Sequence, residues 1–293
     1  MLTLRPMTDA DVEGAVEAFD SGFLAMRARY GLPVTANSLQ NERRRQIRTR
    51  HFLVTDPEGS WVADDEGKIV GMSQSTVREG YWLLSQLGTI PGRQGRGLGR
   101  GLLRLALSHG DPNSPGTIQC SRDPKAMALY FTFGFTMHPV VAAWGHLRPG
   151  VVTRPPEVTR FEPDQVTSTQ LDQVSAIDRV VRGAARTIDL PVMLAEEGSR
   201  LLLHEDQAYA VAKDERIVTL GATNETSAAL VLRTMLAESP PGETIEVNWL
   251  TARQQWAIRE LVAAGIELQP YGPVMVRGMD GPPSPYIPSG GYG

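Results

Sequence analysis

The chain has 293 residues, 41% apolar and 21% charged, with a net charge of −4 and a single cysteine. That length exceeds one ordinary domain and the apolar share suffices for a proper core, so two globular domains are expected. The acidic balance argues against a nucleic-acid partner and suits a cationic one, and a lone cysteine excludes an internal disulfide or a cysteine-built metal cluster.

The opening Met1-Leu2-Thr3-Leu4-Arg5-Pro6 has no hydrophobic signal region, and no apolar run approaches the length of a membrane span, so a cytoplasmic protein without membrane contact is expected. Thr8 with Asp11 has the form of a capping box, and Val12, Ala15, Val16, Phe19 and Phe23 follow at helical spacing. After Gly31-Leu32-Pro33 a second helix is expected over residues 38–50, with Arg43, Arg44, Arg45, Arg48 and Arg50 as a solvated face. Three strands follow at residues 60–63, 69–77 and 81–90, separated by turns containing Glu66-Gly67 and Glu79-Gly80.

The third strand runs into Pro91-Gly92-Arg93-Gln94-Gly95-Arg96-Gly97-Leu98-Gly99-Arg100-Gly101, and Leu98, Leu102, Leu105 and Ala106 then open a helix. Glycines in such a loop let backbone N–H groups converge on one point, and the positive end of the following helix favours an anion. The loop therefore reads as a phosphate receptor. It is not a Walker loop, because Leu98-Gly99 stands where lysine and a hydroxyl residue are required. The dinucleotide fingerprint fails too, since its last glycine is replaced by Arg100 or Leu102.

What remains, Gln94-x-x-Gly97-x-Gly99 after a strand, resembles the signature of the GNAT N-acetyltransferase superfamily. A later segment, Ala126-x-x-Leu129-Tyr130-x-x-x-Gly134-Phe135, resembles that family's second motif, with a strand around Ile118 between them. Asp123 reads as an N-cap, Pro124 as the first helical residue and Gly134 as the helix stop, and strands around Val140 and His146 close the unit.

The resemblance implies an α/β (α+β) fold of two GNAT-like domains, each a mixed, mostly antiparallel sheet flanked by helices. The expected division is 1–147 for a catalytic domain, 148–157 for a linker with Pro149, Pro155 and Pro156, and 158–293 for a degenerate copy. The copy is read from a repeated order: a helix with Leu171, Val174 and Ile177, strands at 200–204, 208–212 and 217–223, a helix from about Ser227, a strand at 243–247, and a helix capped by Thr251 that stops at Gly265. Setting Leu220-Gly221 against Leu87-Gly88, its loop is about four residues shorter, Asn224-Glu225 replaces the glycine and arginine cluster, and Leu261 stands in the place of Tyr130. No coenzyme is expected there.

For the first half the resemblance implies acetyl-CoA as co-substrate and no metal. The pyrophosphate would lie on Gln94, Gly95, Arg96, Gly97, Leu98, Gly99 and Arg100, the pantetheine arm along Leu87, Gly88 and Thr89, with Asp123 and Ala126 completing the coenzyme site. Gly88 suggests a bulge or a close backbone approach, and a backbone N–H near it would stabilise the oxyanion. Tyr130 is the expected general acid for the departing thiolate. A base is harder to find: Leu83 stands where some relatives carry glutamate, leaving Glu79 at the preceding turn, or His138.

Asp20, Phe23, Arg27 and Tyr30, with the polar stretch Arg182-Gly183-Ala184-Ala185-Arg186-Thr187-Ile188-Asp189, could line an acceptor pocket. The expected activity is acetyl transfer to a small-molecule primary amine by direct attack on the thioester. The alternative is a non-catalytic acyl-CoA-binding sensor or partner module. The acyl group stays open, as does the choice of monomer or homodimer.

Overall fold

The computed structural model describes residues 1–30, 38–95, 97–148 and 150–293. The expected break at Gly31-Leu32-Pro33, Arg96 of the loop and Pro149 of the linker lie outside the described residues. The chain forms two compact units, Met1–Gly116 and Thr117–Gly293.

The first unit contains β1 (Leu2–Pro6), α1 (Val12–Arg29), α2 (Ser38–Thr55), β2 (Ser60–Asp65), β3 (Lys68–Arg78), β4 (Tyr81–Thr89) and α3 (Leu98–Leu107). The four strands lie in chain order as an antiparallel sheet. Alternation along the strands separates its two faces. Val62 and Met72 pack with Val12 and Ala15 of α1, whereas Ala63 and Val70 pack with Leu98 and Leu102 of α3.

Polar residues follow the same alternation. Ser73 and Ser75 donate to the Leu102 and Ala106 carbonyls of α3, at 3.1 and 2.8 Å. Gln74, on the other face, donates to the Thr49 carbonyl of α2 at 3.0 Å. The capping box at Thr8 and Asp11 forms as expected, around a short 3-10 turn that leads into α1. Strand β1 was not anticipated, because a five-residue edge strand with one polar partner face has little periodicity to read.

The second unit takes in β5 (Gly116–Gln119), α4 (Pro124–Thr132), β6 (Thr136–His146), β7 (Thr159–Phe161), α5 (Ser168–Arg182), α6 (Leu190–Leu194), β8 (Ser199–His204), β9 (Ala208–Lys213), β10 (Arg216–Ala222), α7 (Glu225–Glu238), β11 (Thr244–Thr251), α8 (Gln255–Ala263), β12 (Glu267–Arg277) and β13 (Tyr286–Ile287). From β7 to β12 this order repeats that from β1 to β6, helix for helix and strand for strand. Its core joins Val231, Leu232 and Met235 of α7 and Trp256 and Leu261 of α8 to Ile245, Val247 and Ala143 on the sheet.

Two features of this unit differ from the sequence reading. The strands expected around Val140 and His146 are one strand, β6, bent by register shifts against both of its neighbours. The strand order is β5-β12-β6-β11-β10-β9-β8-β7, so β12 of the second half lies between two strands that precede residue 148. The boundary between compact units falls at Gly116. Among the described residues no helix is long and apolar enough to cross a membrane.

Candidate active site

In the first unit the site is built on β4, the loop after it and α3. Strand β4 pairs with β3 throughout, and the register slips between Gln74↔Gln86 and Ser75↔Leu84, which leaves Ser85 as a bulged residue. The bulge expected at Gly88 is therefore three residues away at Ser85. Gly88 serves instead the close approach: a Cβ there would stand 2.9 Å from the ring of Phe19 on α1. One turn further along α1, a Cβ on Gly22 would run into the carbonyl oxygen of Thr89. Two glycines thus let helix α1 rest directly on the end of β4, holding Leu87, Gly88 and Thr89 in place.

Residues 90–97 connect β4 to α3. Gly92, Gly95 and Gly97 have φ of 83, 81 and 80°, a region closed to most side chains, so each turn of the loop needs its glycine. Gly97 is the N-cap of α3 and supplies no side-chain cap. The first intrahelical bond in this turn runs from Gly101 N–H to the Gly97 carbonyl at 3.0 Å. The N–H groups of Leu98, Gly99 and Arg100 thus have no acceptor within the helix, and they point where an anion is best placed. Leu98 is buried and anchors this end of α3, while Gln94, Gly95, Gly99 and Arg100 are half-buried or exposed. Arg93 is ion-paired to Asp65 at the end of β2, which ties the loop to the sheet.

Helix α1 also carries the expected acceptor residues. Phe19 and Phe23 stack at 6.0 Å, Arg27 lies 5.7 Å over the Phe23 ring, and Tyr30 is exposed. Asp20 is ion-paired to Arg45 of α2 at 2.6 Å. Burial raises its carboxyl above the ordinary carboxylate range, against the opposing pull of Arg45.

Glu79 does not belong to this constellation. It sits exposed at the β3–β4 turn with φ 48°, and at about 3.3 Å per residue the length of β4 puts it some ~25 Å from Gly88.

The second motif lies in the second unit. Asp123 caps α4, its carboxylate accepting from Lys125 N–H at 2.9 Å, Pro124 takes the first helical position and Gly134 follows the helix with φ 86°. Ala126 is half-buried on this helix. Tyr130 is 6% exposed. Burial, then the neighbouring Cys120 and Asp123, hold the phenol well above its ordinary value near 10, so it stays protonated across the neutral range. Burial also pushes the Cys120 thiol up to about 12. His138, on β6, stands 3.4 Å from Thr136 Oγ1, and burial followed by Arg253 lowers its pKa.

The corresponding parts of the second half have other partners. Only Thr223 and Asn224 separate β10 from α7, a larger shortening than expected because α7 begins at Glu225 rather than near Ser227. Asn224 caps the helix through Ser227 N–H at 2.8 Å, and Glu225 occupies its first turn. Leu261 is fully buried in the core. The stretch 182–189 turns inward instead of lining an acceptor pocket: Arg186 is fully buried and bonded to Asp178, Tyr209 and Thr219.

Residues 27–135 match the acetyltransferase (GNAT) family. The chain is 33% identical over 88 residues to a mycothiol acetyltransferase of Streptomyces avermitilis, a match that covers 28% of this chain and 29% of that protein. The matched region is thus under a third of the relative's length. A candidate acetyltransferase from Pyrococcus horikoshii has the same fold over 100% of this chain and 96% of its own, with a TM-score of 0.75 at 18% identity. A tandem GNAT protein from the clavulanic acid biosynthesis pathway shares it over 94% and 98%, with a TM-score of 0.52 at 16% identity.

Proposed function

We propose that the protein is an acetyl-CoA-dependent N-acetyltransferase acting on a small-molecule primary amine, with its coenzyme site in the first half of the chain. The observation that carries this reading is the N-terminus of α3, which has the left-handed Gly97 in place of a capping side chain and stands behind two further loop glycines of positive φ, Gly92 and Gly95. Such an end favours a phosphate group. Gln94, Gly95, Arg96, Gly97, Leu98, Gly99 and Arg100 take the pyrophosphate by their backbone, and Leu87, Gly88 and Thr89 take the amides of the pantetheine arm as an added strand.

The thioester of the co-substrate supplies the acetyl group. Attack by the neutral amine nitrogen forms the carbon–nitrogen bond of a tetrahedral oxyanion, its collapse breaks the carbon–sulfur bond and the nitrogen's surplus proton passes to solvent; a backbone N–H at Leu87 or Gly88 is worth about 3 kcal/mol to that intermediate. Tyr130 gives its proton to the departing thiolate; this role rests on its motif and on a phenol that remains protonated at working pH. The name of the Streptomyces relative, a mycothiol acetyltransferase, supports a small-molecule acceptor over a protein. The placing of the two sequence halves at 1–147 and 158–293 is part of the same proposal.

The alternative, an acyl-CoA sensor without turnover, is favoured by one observation: Glu79, the carboxylate offered as base, is a strand's length from Gly88. Titration of acetyl-CoA into the protein, followed by thiol release with a panel of primary amines, separates the readings. One site per chain with amine-dependent release supports the enzyme, and binding without release supports the sensor. No binding sinks both.

A further inference from the structure

Strands β10 and β11 of the second unit are parallel neighbours at Arg216↔Glu246, and a short segment from the far end of the chain, β13, then packs between them. It pairs Ile287 with Leu220 and Tyr286 with Gly221. Ala222 N–H donates to the Pro285 carbonyl at 3.1 Å, and the Thr219 hydroxyl to that of Ile287 at 3.0 Å. Leu220-Gly221 is the counterpart of Leu87-Gly88, on the third strand of each repeated meander. The chain thus places its own backbone amides where, in the first half, the proposed function places those of pantetheine.

The approach to this strand is fixed as well. Gln254 at the start of α8 donates to the Pro283 carbonyl at 2.9 Å, and Ser284 to that of Arg253 at 2.9 Å. Beyond β13 the segment turns inward: Tyr286, Ile287 and Tyr292 are each no more than 5% exposed. The fully buried Arg186 donates to the carbonyls of Tyr292 and Gly293, and the Tyr286 hydroxyl to that of Gly293 at 2.6 Å. Arg186 is charge-balanced by Asp178 at 3.1 Å. A strand added at random to a sheet edge would not need a buried cation to hold its far end.

We infer that residues 283–293 are an intramolecular stand-in for an acyl-pantetheine arm, filling a second, latent arm-binding groove along β10. This rests on the proposed arm site at β4. The ligand class of the vacated groove is an extended diamide such as pantetheine, not a nucleotide, because Asn224 already caps α7 and Glu225 would repel a phosphate.

The test uses the full chain with a specific protease site inserted between Gly278 and Asp280. After cleavage and removal of the released peptide, acetyl-pantetheine should bind with one more site per chain than in uncut protein, and a synthetic peptide of residues 281–293 should abolish that extra site. A folded, cut protein with no extra site overturns the inference. Should the cut protein unfold, Tyr286→Phe in the uncut chain serves instead. Loss of its hydroxyl bond should speed amide exchange at Ala222 and Ile287 by about tenfold while β8 and β9 stay unchanged, the mark of a segment that opens by itself. Uniform acceleration across the unit, or none, overturns it. Failure of uncut protein to bind acetyl-CoA would remove the first-half reading, but would leave the peptide competition and exchange results to stand or fall separately.

Discussion

The two connections from the third meander strand to the next helix, residues 90–97 in one half and Thr223-Asn224 in the other, join equivalent elements to opposite ends. In the first, three glycines of positive φ and an N-cap without a side chain leave the helix N-terminus to an external partner. In the second, Asn224 satisfies the helix from within and Glu225 gives it a negative charge. A helix N-terminus is a charge that must be answered, and the two halves show both answers, ligand and side chain. The same division runs along the strands, since β10 is covered by the chain's own β13 at the positions that match Leu87-Gly88.

The comparison breaks most sharply if the first loop is given the second's charge. Gly99→Glu places a carboxylate in the first turn of α3, at a helical position free of backbone strain. Acetyl-CoA affinity should fall about a hundredfold, near 3 kcal/mol, with the circular dichroism spectrum unchanged; undiminished affinity would mean that this helix end holds no phosphate. Removing the hydroxyl of the second motif, which the copy lacks at Leu261, is the next test. Tyr130→Phe should lower turnover by about a hundredfold at unchanged coenzyme affinity. In the wild type, because the phenol is held above 10, the rate should show no loss from this group up to about that pH.

The support of the strand end is tested by Gly22→Val, which drives a side chain into the Thr89 carbonyl. A stability loss of about 1–3 kcal/mol in chemical denaturation is expected, with weaker acetyl-CoA binding because β4 shifts. On the other side of the comparison, Asn224→Ala should cost about 1 kcal/mol and leave acetyl-CoA binding untouched. Equal loss of binding would show that the second helix end also serves the coenzyme. The smallest effect concerns Cys120. Its raised pKa favours the folded state fully below the ordinary thiol value of 9.0, and that contribution is lost as pH rises through about 12. Thermal stability should therefore decline less steeply over that range in Cys120→Ala, and iodoacetamide should label the wild-type thiol only on unfolding.

Local chemistry was legible before any fold was known. Thr8 with Asp11, Asp123 with Pro124, Thr251, and the loop glycines each act on atoms within a few residues of themselves, and each does in the structure what its type requires. The repeat was readable for the same reason, because every helix and strand carries its own period.

Tertiary packing alone decided the rest. Nothing in residues 136–146 or 267–277 announces that β12 lies between β5 and β6, since strand pairing depends on backbone groups that every sequence shares. Glu79 looked near β4 in sequence, but a strand carries its ends apart at full extension. The same holds for Ser85 against Gly88, where a register slip set by β3 placed the bulge, and for Tyr286-Ile287, whose distance along the chain from Leu220-Gly221 hid a strand pairing. What a residue does to its own turn is written in its side chain; which strand it meets depends on the whole set of surfaces that must be buried together.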